Sequence, residues 1–448
     1  LSAGLSGYEE RTPQTDMAKT VYNTLNQDEY LVAEAGTGVG KSLAYLLPAL
    51  RWCSVDSTRR VILSTYTKTL QDQLFSSELP LLQKILDHPF QAVLLKGRRN
   101  YLCRRRWEQV ISGDTTLPPS RRRQLLPLVL WSRKTVSGDI EENSGFNLAR
   151  NRAVWAEINA DNTRCHGSRC AFAETCYFRR VRKAQRTATL VLVNHSLLFS
   201  DVATGHSVLG EYDTLIVDEA HNMERAATDS LGRSLNHWTF YDIINKFSDD
   251  SKYKKTSIVS TIPTQLSGMK SSAQEDIIKT IERLKQLTSE LAEESSDFFT
   301  LIKDNLLQGR KQSAFSVKKR FTAPDALFRG AEDAADSCVS LLKETGNSVA
   351  RITELLYEHT PSAESPWLER IRRLEAALVS ITETRELLKH FRRSDYSDAI
   401  VWGEIVEKHR NSYVHLYSVP LDIARLFNAM VYPGVNRAVL TSATLSFN

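Results

Sequence analysis

One short stretch, residues 34–42, constrains the fold of this chain more than any other part. It reads EAGTGVGKS, follows an apolar run at 30–33 that predicts a buried strand, and precedes residues 43–50, which predict a helix. A strand, a glycine-rich loop and a helix start form a phosphate cradle, because backbone N–H groups converge on an anion there. Lys41 can reach the terminal phosphates, and the Ser42 hydroxyl can bind Mg²⁺. The residues that we expect to hold this ligand are Gly36, Thr37, Gly38, Val39, Gly40, Lys41 and Ser42.

Two points near this loop leave alternatives open. The strict pattern has glycine where this chain has Ala35, so a glycine-rich turn without a ligand is the alternative to a phosphate site. Upstream, Arg11 and Gln14 flank a Thr-Pro pair that fits a helix N-terminus. Their functional interpretation is an adenine contact, because a glutamine amide offers both a donor and an acceptor to one base edge.

Composition places the chain among ordinary globular proteins. It has 448 residues, of which 42% are hydrophobic and 25% charged, so two to four domains are expected. No apolar run approaches the ~18 residues of a membrane span, and no secretory signal opens the chain. Six cysteines are too few for a disulfide scaffold, which favours a reducing cytoplasm. Because the sequence opens at Leu1 and stops at Asn448 directly after an apparent motif, we expect a piece of a longer protein.

Short apolar runs alternate with helical patterns through the first half of the chain. The predicted strands lie at 30–33, 61–65, 92–95, 189–194 and 214–217, and residues 68–86 have helical periodicity. This alternation predicts an α/β fold with a parallel sheet covered on both faces. Ligands of such sheets gather at the carboxyl ends of the strands, where the phosphate loop lies.

Candidate chemistry follows two of the predicted strands. Asp218 and Glu219 lie in the segment VDEAH after the strand at 214–217. Asp218 would hold Mg²⁺ and Glu219 would orient and deprotonate the attacking water, although an Asp-Glu pair alone is common surface chemistry. The segment TSATL at 441–445 follows a strand at 438–441, and its hydroxyls could bond the acidic pair and a phosphate. Without the acidic pair and a phosphate to bind, the segment TSATL would be an ordinary strand-to-turn passage.

Positive charge is concentrated in two clusters, although the net charge is only +5. These clusters could be ordinary solvated faces of the protein. A track that binds a nucleic-acid phosphate backbone is favoured, because each neutralised phosphate releases counterions. The first cluster comprises Lys96, Arg98, Arg99, Arg104, Arg105, Arg106, Arg121, Arg122, Arg123, Arg133 and Lys134. The second comprises Arg164, Arg169, Arg179, Arg180, Arg182, Lys183 and Arg186.

Four of the six cysteines lie in the same region, at Cys103, Cys165, Cys170 and Cys176. Four thiolates can enclose a tetrahedral-sulfur site for zinc or for an iron–sulfur cluster. Zinc modules more often use tight cysteine pairs, so the looser spacing here favours a cluster, and unrelated buried cysteines are the alternative.

The remaining sequence, 222–399, is polar and helical, with apolar residues at three- and four-residue spacing in 277–291, 334–342 and 367–391. We expect a helical insertion without chemistry of its own. Paired strands at 400–405 and 413–419 and a helix at 421–430 then precede the final strand.

Together these segments resemble a known family. The loop AEAGTGVGKS, the VDEAH box and TSATL are similar to motifs I, II and III of superfamily 2 helicases, in which an alanine often opens the loop. The cysteines between motifs I and II and the helical insertion before motif III resemble the XPD-like iron–sulfur helicases. The cysteine spacing and the run KGRRNYLC at 96–103 are similar to the bacterial DinG/YoaA branch.

The resemblance implies a RecA-like P-loop domain with two insertions. It assigns 1–96, 187–235 and 400–448 to helicase domain 1, 97–186 to a four-cysteine FeS domain, and 236–399 to a helical Arch domain. Arg11 and Gln14 would read adenine. His221 would join Lys41, Asp218 and Glu219 in hydrolysis, and Ser442 and Thr444 would couple nucleotide to DNA. The residues implied to lie near DNA are Thr65, Thr67, Gln73, Arg98, Arg99, Tyr101, Asn194 and His195.

As function, the resemblance implies an ATP-dependent 5′→3′ DNA helicase with Mg²⁺ and a [4Fe–4S] cluster, held by Cys103, Cys165, Cys170 and Cys176. Its implied partners are single-stranded and forked or branched DNA, single-stranded DNA-binding protein and replication proteins, in a monomer of the bacterial cytoplasm and nucleoid. Such helicases need a second RecA-like domain with arginines that reach the γ-phosphate, so we expect residues 1–448 alone to be weakly active or inactive. A DNA-binding module with a vestigial ATPase is the alternative.

Overall fold

The computed structural model describes residues 9–36, 38–113, 119–162, 164–248, 257–260, 262–266, 271–307, 316–358, 367–393, 395–408, 411–422, 425, 428 and 434–444. Thr37 and most of the predicted helix at 421–430 lie outside these residues. The chain divides into two compact units. The first comprises Leu1–Leu231 and Ile423–Asn448, and the second is Gly232–Asp422.

Strands and helices alternate up to residue 231. In chain order they are α1 (Thr12–Gln27), β1 (Tyr30–Glu34), α2 (Lys41–Ser54), β2 (Val61–Thr65), α3 (Lys68–Gln73), α4 (Leu79–Ile85), β3 (Ala92–Leu94), α5 (Arg104–Ile111), α6 (Pro119–Arg122), α7 (Leu126–Lys134), α8 (Arg152–Ile158), α9 (Tyr177–Thr187), β4 (Leu190–Asn194), α10 (His195–Ala203), β5 (Thr214–Asp218) and α11 (Met223–Leu231). A π-helical turn, Leu74–Glu78, joins α3 to α4.

Long helices and longer strands follow. They are β6 (Arg233–Asn236), α12 (His237–Phe247), α13 (Ser271–Leu307), β7 (Ser316–Phe321), α14 (Pro324–Phe328), α15 (Glu332–Glu358), α16 (Trp367–Phe391), β8 (Ala399–Lys408), β9 (Asn411–Pro420) and β10 (Arg437–Ser442).

The first unit is built on a six-stranded sheet in the order β1-β10-β5-β2-β4-β3, in which every pair is parallel. Side chains of successive residues point to opposite faces, so Ile62 and Leu63 of β2 enter different hydrophobic clusters. One cluster packs α1 and α2 on the sheet, and the other packs α10 on it. The predicted α/β fold with a parallel sheet covered on both faces is therefore confirmed.

The segment between β3 and β4 has a small hydrophobic core of its own. Trp155, Phe146 and Trp131 pack together with ring centroids 6.1 to 6.5 Å apart, and Tyr101 and Tyr177 are almost completely buried beside them. This core explains why the described helices α5 to α9 interrupt the βα alternation in that segment: they cover aromatic side chains that the main sheet does not cover.

The second unit contains three long helices, α13, α15 and α16, that share one core. They include the predicted helical segments 277–291, 334–342 and 367–391, which are thereby confirmed. An antiparallel sheet in the order β6-β9-β8-β7 completes the unit. Gly403 of β8 lets α13 approach, because a Cβ there would lie 2.6 Å from Leu306 Cδ2.

The strands predicted at 400–405 and 413–419 exist as β8 and β9, which pair with each other throughout. They lie in the second compact unit. Their place in helicase domain 1, which the resemblance implies, stays a prediction. The strand β7 lies in sequence that we expected to be helical or polar. No described helix of either unit combines the length and the apolar character that a membrane crossing requires.

We predict that Gly138→Ala destabilises the first unit by roughly 2–4 kcal/mol, since the residue has φ +71° and an added Cβ would lie 2.3 Å from Tyr177 Cγ. Gly210→Ala is the matched control: its φ is +72° but no atom lies within 4 Å of the added Cβ, so about 1 kcal/mol is expected. Denaturant unfolding of both variants measures the difference. Equal losses would show that crowding against Tyr177 costs nothing.

Candidate functional site

The glycine-rich loop joins β1 to α2 and depends on two left-handed residues, Gly38 at φ 84° and Gly40 at φ 85°. Gly40 is the N-cap of α2, and a Cβ there would lie 2.1 Å from Gln14 Nε2. Glycine is therefore required both for the turn and for the close approach of α1. Gln14 donates to the Gly40 carbonyl at 3.0 Å, and Arg11 donates to the Gly38 carbonyl.

A cleft of about 340 Å³ opens between α1 and this loop. Its walls are mostly apolar and include Pro13, Met17, Leu31, Ala35 and Val39. Neither Arg11 nor Gln14, the residues predicted to read adenine, is part of these walls, and Gln14 is 5% exposed. A mostly apolar wall next to the glycine-rich loop is nevertheless a suitable environment for a purine ring.

The acidic pair ends β5 and faces the loop. Lys41 Nζ lies 3.2 Å from Glu219 Oε1, and Glu219 has a left-handed backbone at φ 55°, which is uncommon for a residue with a side chain. Asp218 is 5% exposed, and its Oδ2 accepts from the Tyr45 hydroxyl at 3.0 Å. Burial raises the pKa of the Asp218 carboxyl; the Tyr45 hydrogen bond opposes this rise and the Glu219 charge adds to it. The phosphate loop and the acidic pair therefore meet in the structure.

A histidine joins this acidic turn to the last strand. His221 Nδ1 lies 2.6 Å from Ser442 Oγ and 3.3 Å from Glu219 Oε2. The Thr444 N–H donates to Ser442 Oγ at 3.3 Å, so both predicted coupling residues lie in one polar turn after β10. Three predicted motifs thus converge at one edge of the sheet. This arrangement defines a P-loop nucleotide site on an α/β sheet.

The residues predicted to lie near DNA separate into two groups. Thr65 and Asn194 end β2 and β4, are paired in the parallel register, and therefore share the same edge of the sheet. The Thr67 and Asn194 side chains cap α3 and α10, accepting from the N–H groups of Leu70 and Leu197. Thr67, Asn194 and the exposed Gln73 leave polar groups along one rim of the first unit, whereas Thr65 is 0% exposed.

Two other predicted DNA residues are buried. His195 is 0% exposed, its Nδ1 lies 2.7 Å from Ser64 Oγ, and burial lowers the pKa of its imidazole to about 4. Tyr101 is 3% exposed, and its hydroxyl accepts from the Lys96 N–H at 3.1 Å. These placements speak against direct contact of either ring with DNA, and they give both residues structural partners instead.

The predicted basic track is only partly accessible. Arg99 is exposed, and the Arg98 guanidinium lies 4.7 Å from the centre of the Phe178 ring. Arg105 and Arg106 are buried and donate to backbone carbonyls of Arg164 and Asn159 at 2.9 and 2.5 Å. Those two arginines hold the segment together and are not free to bind phosphates.

Lys96 is the clearest departure from the predicted track. Its side chain is 4% exposed, and its Nζ lies 3.2 Å from Asp72, 2.7 Å from Asp139 and 2.7 Å from Glu141. Burial lowers the pKa of Lys96, but hydrogen bonds and charges of Asp139 and Glu141 outweigh this and raise it above its usual value. Lys96 therefore ties α3 to the four-cysteine segment and does not serve as a phosphate contact.

The four predicted metal ligands are partly buried thiols that form no disulfide bond. Cys103 and Cys176 precede α5 and α9, and they interact, since burial raises the pKa of Cys103 and the Cys176 charge adds to that rise. The Gly167 N–H donates to Cys165 Sγ at 3.3 Å. Within the described residues, which include all four cysteines, no three His, Cys, Asp or Glu side chains are grouped to hold a metal ion. The donor chemistry fits a soft metal, but the ligand geometry is not formed here.

Sequence reasoning missed Tyr45, the hydrogen-bond partner of Asp218. A usable signal existed, because Tyr45 lies four residues after Lys41 and so shares one face of α2 with it. It also missed the burial of Lys96. A run of basic residues does not show which of its members will be surrounded by carboxylates from distant segments.

Comparisons with known proteins follow from this geometry. Residues 14–108 match the model of the DEAD/DEAH box helicase family. The chain is also similar to proteins named YoaA and DinG, which confirms the predicted resemblance to the DinG/YoaA branch.

Three relatives differ in how much of this chain they match. The ATP-dependent DNA helicase YoaA of Escherichia coli is 29% identical over 100% of this chain and 62% of its own length. The 3'-5' exonuclease DinG of Bacillus subtilis is 28% identical over 100% of this chain and 47% of its own. The YoaA of Haemophilus influenzae is 36% identical over 54% of this chain and 38% of its own. The chain thus spans less than two thirds of the length of each relative.

We predict that Lys96→Met destabilises the first unit by about 3–5 kcal/mol, because it leaves three neighbouring carboxylates without their buried cation. Limited proteolysis of segment 97–186 and denaturant unfolding report the loss. Lys68→Met is the matched control: Lys68 also pairs with Glu141, but its side chain is 44% exposed, so a cost of about 1 kcal/mol or less is expected. If the two variants were equally stable, Lys96 would not be the anchor of the segment.

Proposed function

We propose that this chain is the N-terminal motor half of an ATP-dependent 5′→3′ DNA helicase that binds ATP·Mg²⁺ and single-stranded DNA and unwinds duplexes. The observation that carries the proposal is the meeting of Lys41, Asp218, Glu219 and Ser442 at one edge of the parallel sheet. The DEAD/DEAH match and the names of the relatives support the helicase class.

Nucleotide binding follows from the loop and the cleft beside it. The adenine would lie in the cleft next to Arg11 and Gln14, with its phosphates along the N–H groups at the start of α2. Residues Gly36, Gly38, Val39, Gly40 and Lys41 would surround the phosphates. Ser42 and Asp218 would hold Mg²⁺, which neutralises charge on the phosphates.

Hydrolysis would begin with a change of partner at Lys41. In the structure Lys41 is paired with Glu219 at 3.2 Å, and both side chains are mostly buried. A bound γ-phosphate competes for the Lys41 ammonium and thereby releases the Glu219 carboxylate. Glu219 is then free to orient a water molecule and take its proton.

Coupling to DNA would pass through His221. Its ring contacts both Glu219 and Ser442, so a change at the Glu219 carboxylate alters the hydrogen bonding of the turn after β10. DNA would run along the rim that Thr67, Gln73 and Asn194 form beside the buried Thr65, with Arg98 and Arg99 as further phosphate contacts. Support for this path is the shared sheet edge of Thr65 and Asn194.

The finer features of the proposal rest on the resemblance to the XPD-like helicases. They are the 5′→3′ direction, forked or branched DNA as substrate, a role in DNA repair or replication, contact with single-stranded DNA-binding protein, and action as a monomer in the bacterial cytoplasm. The second unit would correspond to the Arch domain. Cys103, Cys165, Cys170 and Cys176 would hold a [4Fe–4S] cluster, which would stiffen the segment.

We predict that Lys41→Ala in the full-length protein lowers DNA-stimulated ATP hydrolysis at least ~100-fold, because the phosphates lose their cation. Steady-state ATPase with and without single-stranded DNA measures this. Lys19→Ala, on the exposed side of α1, is the control and should behave as the parent protein.

Hydrolysis that continues unchanged in Lys41→Ala would refute the motor. Hydrolysis that no DNA stimulates, together with tight DNA binding, would favour the alternative of a DNA-binding module with a vestigial ATPase.

We predict that Cys170→Ser lowers bound iron and sulfide in anaerobically purified protein and makes segment 97–186 more sensitive to protease, because metal binding supplies folding free energy. Visible absorbance, metal analysis and proteolysis measure the three effects. Cys338→Ala is the control, since that thiol is buried in the core of the second unit.

A colourless protein loaded with zinc would end the iron assignment and retain the metal site. Unaltered protease resistance in Cys170→Ser, compared with a metal-bound parent, would contradict a structural metal.

A further inference from the structure

The helix after β2 changes its winding next to the phosphate loop. The α-helix α3 ends at Gln73 and continues as the π-helical turn Leu74–Glu78 before α4 begins. Turns of this kind are rare, and they occur frequently at functional sites. Glu78, the last residue of the turn, points its carboxylate between Gln73 and the start of α2: Gln73 Nε2 donates to Glu78 Oε1 at 3.3 Å.

The second oxygen of this carboxylate has an unusual environment. Glu78 Oε2 is fully buried and has no hydrogen-bond partner of normal geometry among the described residues. Burial raises the pKa of the Glu78 carboxyl, and an interaction with the Ser42 hydroxyl is the largest of the effects that oppose this rise. The nearby charge of Asp218 also raises the pKa of Glu78. A buried carboxylate oxygen without a close partner is costly, which calls for a ligand or a donor at this point.

The Ser42 hydroxyl can be the hydrogen-bond donor to Glu78 Oε2 when the Ser42 oxygen binds Mg²⁺. A serine hydroxyl that gives a lone pair to Mg²⁺ must direct its proton to an acceptor. Asp218 cannot easily serve, because its Oδ2 accepts from Tyr45 at 3.0 Å and its Oδ1 accepts from the Glu219 N–H at 3.0 Å. Glu78 Oε2 is the neighbouring carboxylate oxygen that has no such bond.

We infer that Glu78 is a positioning residue of the proposed Mg²⁺–nucleotide site: its carboxylate accepts a hydrogen bond from the Ser42 hydroxyl and so turns the Ser42 oxygen toward the metal. The inference rests on the proposed function and extends it. Its other oxygen binds Gln73, a proposed DNA contact, so the same carboxylate links the DNA rim to the metal ligand.

The test uses fluorescent mant-ADP and the protein purified as this chain, because binding does not require turnover. Affinity is measured in EDTA and then as a function of Mg²⁺ concentration. For Glu78→Ala we expect the Mg²⁺ concentration at half-saturation to rise about tenfold, the usual effect of losing an outer-shell partner, with affinity in EDTA changed less than about twofold.

Two further variants sharpen the test. Glu78→Gln keeps an acceptor oxygen in the same place, so it should recover most of the Mg²⁺ dependence, to within about threefold of the parent. Glu108→Gln, on an exposed part of α5, should match the parent throughout.

An unchanged Mg²⁺ midpoint in Glu78→Ala would overturn the inference. So would a parallel loss of affinity in EDTA with a lower melting temperature, because that pattern indicates a structural role only. If the parent chain itself did not bind the nucleotide with Mg²⁺, the proposed function would fail and the role of Glu78 with it.

Discussion

The parallel pairing of β10 with both β1 and β5 is the interaction on which the rest of the site depends. In this register Glu34 lies opposite Ser442, and Thr441 lies opposite Asp218. Because parallel strands end at the same edge, three loops that are remote in sequence open side by side. Lys41 and Glu219, 178 residues apart in the chain, can therefore form an ion pair. Every proposed step of nucleotide chemistry uses this shared edge.

Most polar groups at this edge of the sheet pair with one another. Lys41 pairs with Glu219, Tyr45 binds Asp218, and His221 binds Ser442. The backbone of Glu219 is held in a left-handed conformation, a local cost that the surrounding hydrogen bonds offset. Among the described residues of this edge, Glu78 Oε2 and Thr441 Oγ1 are buried without such a partner. A ligand that takes Lys41 and Ser42 would rearrange the whole set at once.

A second buried charge organises the other side of the first unit. Lys96 follows β3 and gathers Asp72 from the helical side and Asp139 and Glu141 from the four-cysteine segment. The Lys96 cation therefore joins α3 to the four-cysteine segment. The insertion contributes its own aromatic core, and the Lys96 ion pairs, charged and almost completely buried, connect it to the end of β3.

Sequence alone determined the α/β class, the strands β1 to β5 and β10, the long helices and the main motif residues. These features depend on local patterns: apolar runs, helical spacing, and glycines where a loop must turn. Tertiary structure decided which residues meet. It buried Lys96, Arg106, Tyr101 and His195, which look like surface groups in the sequence, and it placed β8 and β9 in the second unit. It also brought Tyr45 to Asp218 and Glu78 to Ser42, because burial and partner choice are fixed by packing between distant segments, which no local pattern contains.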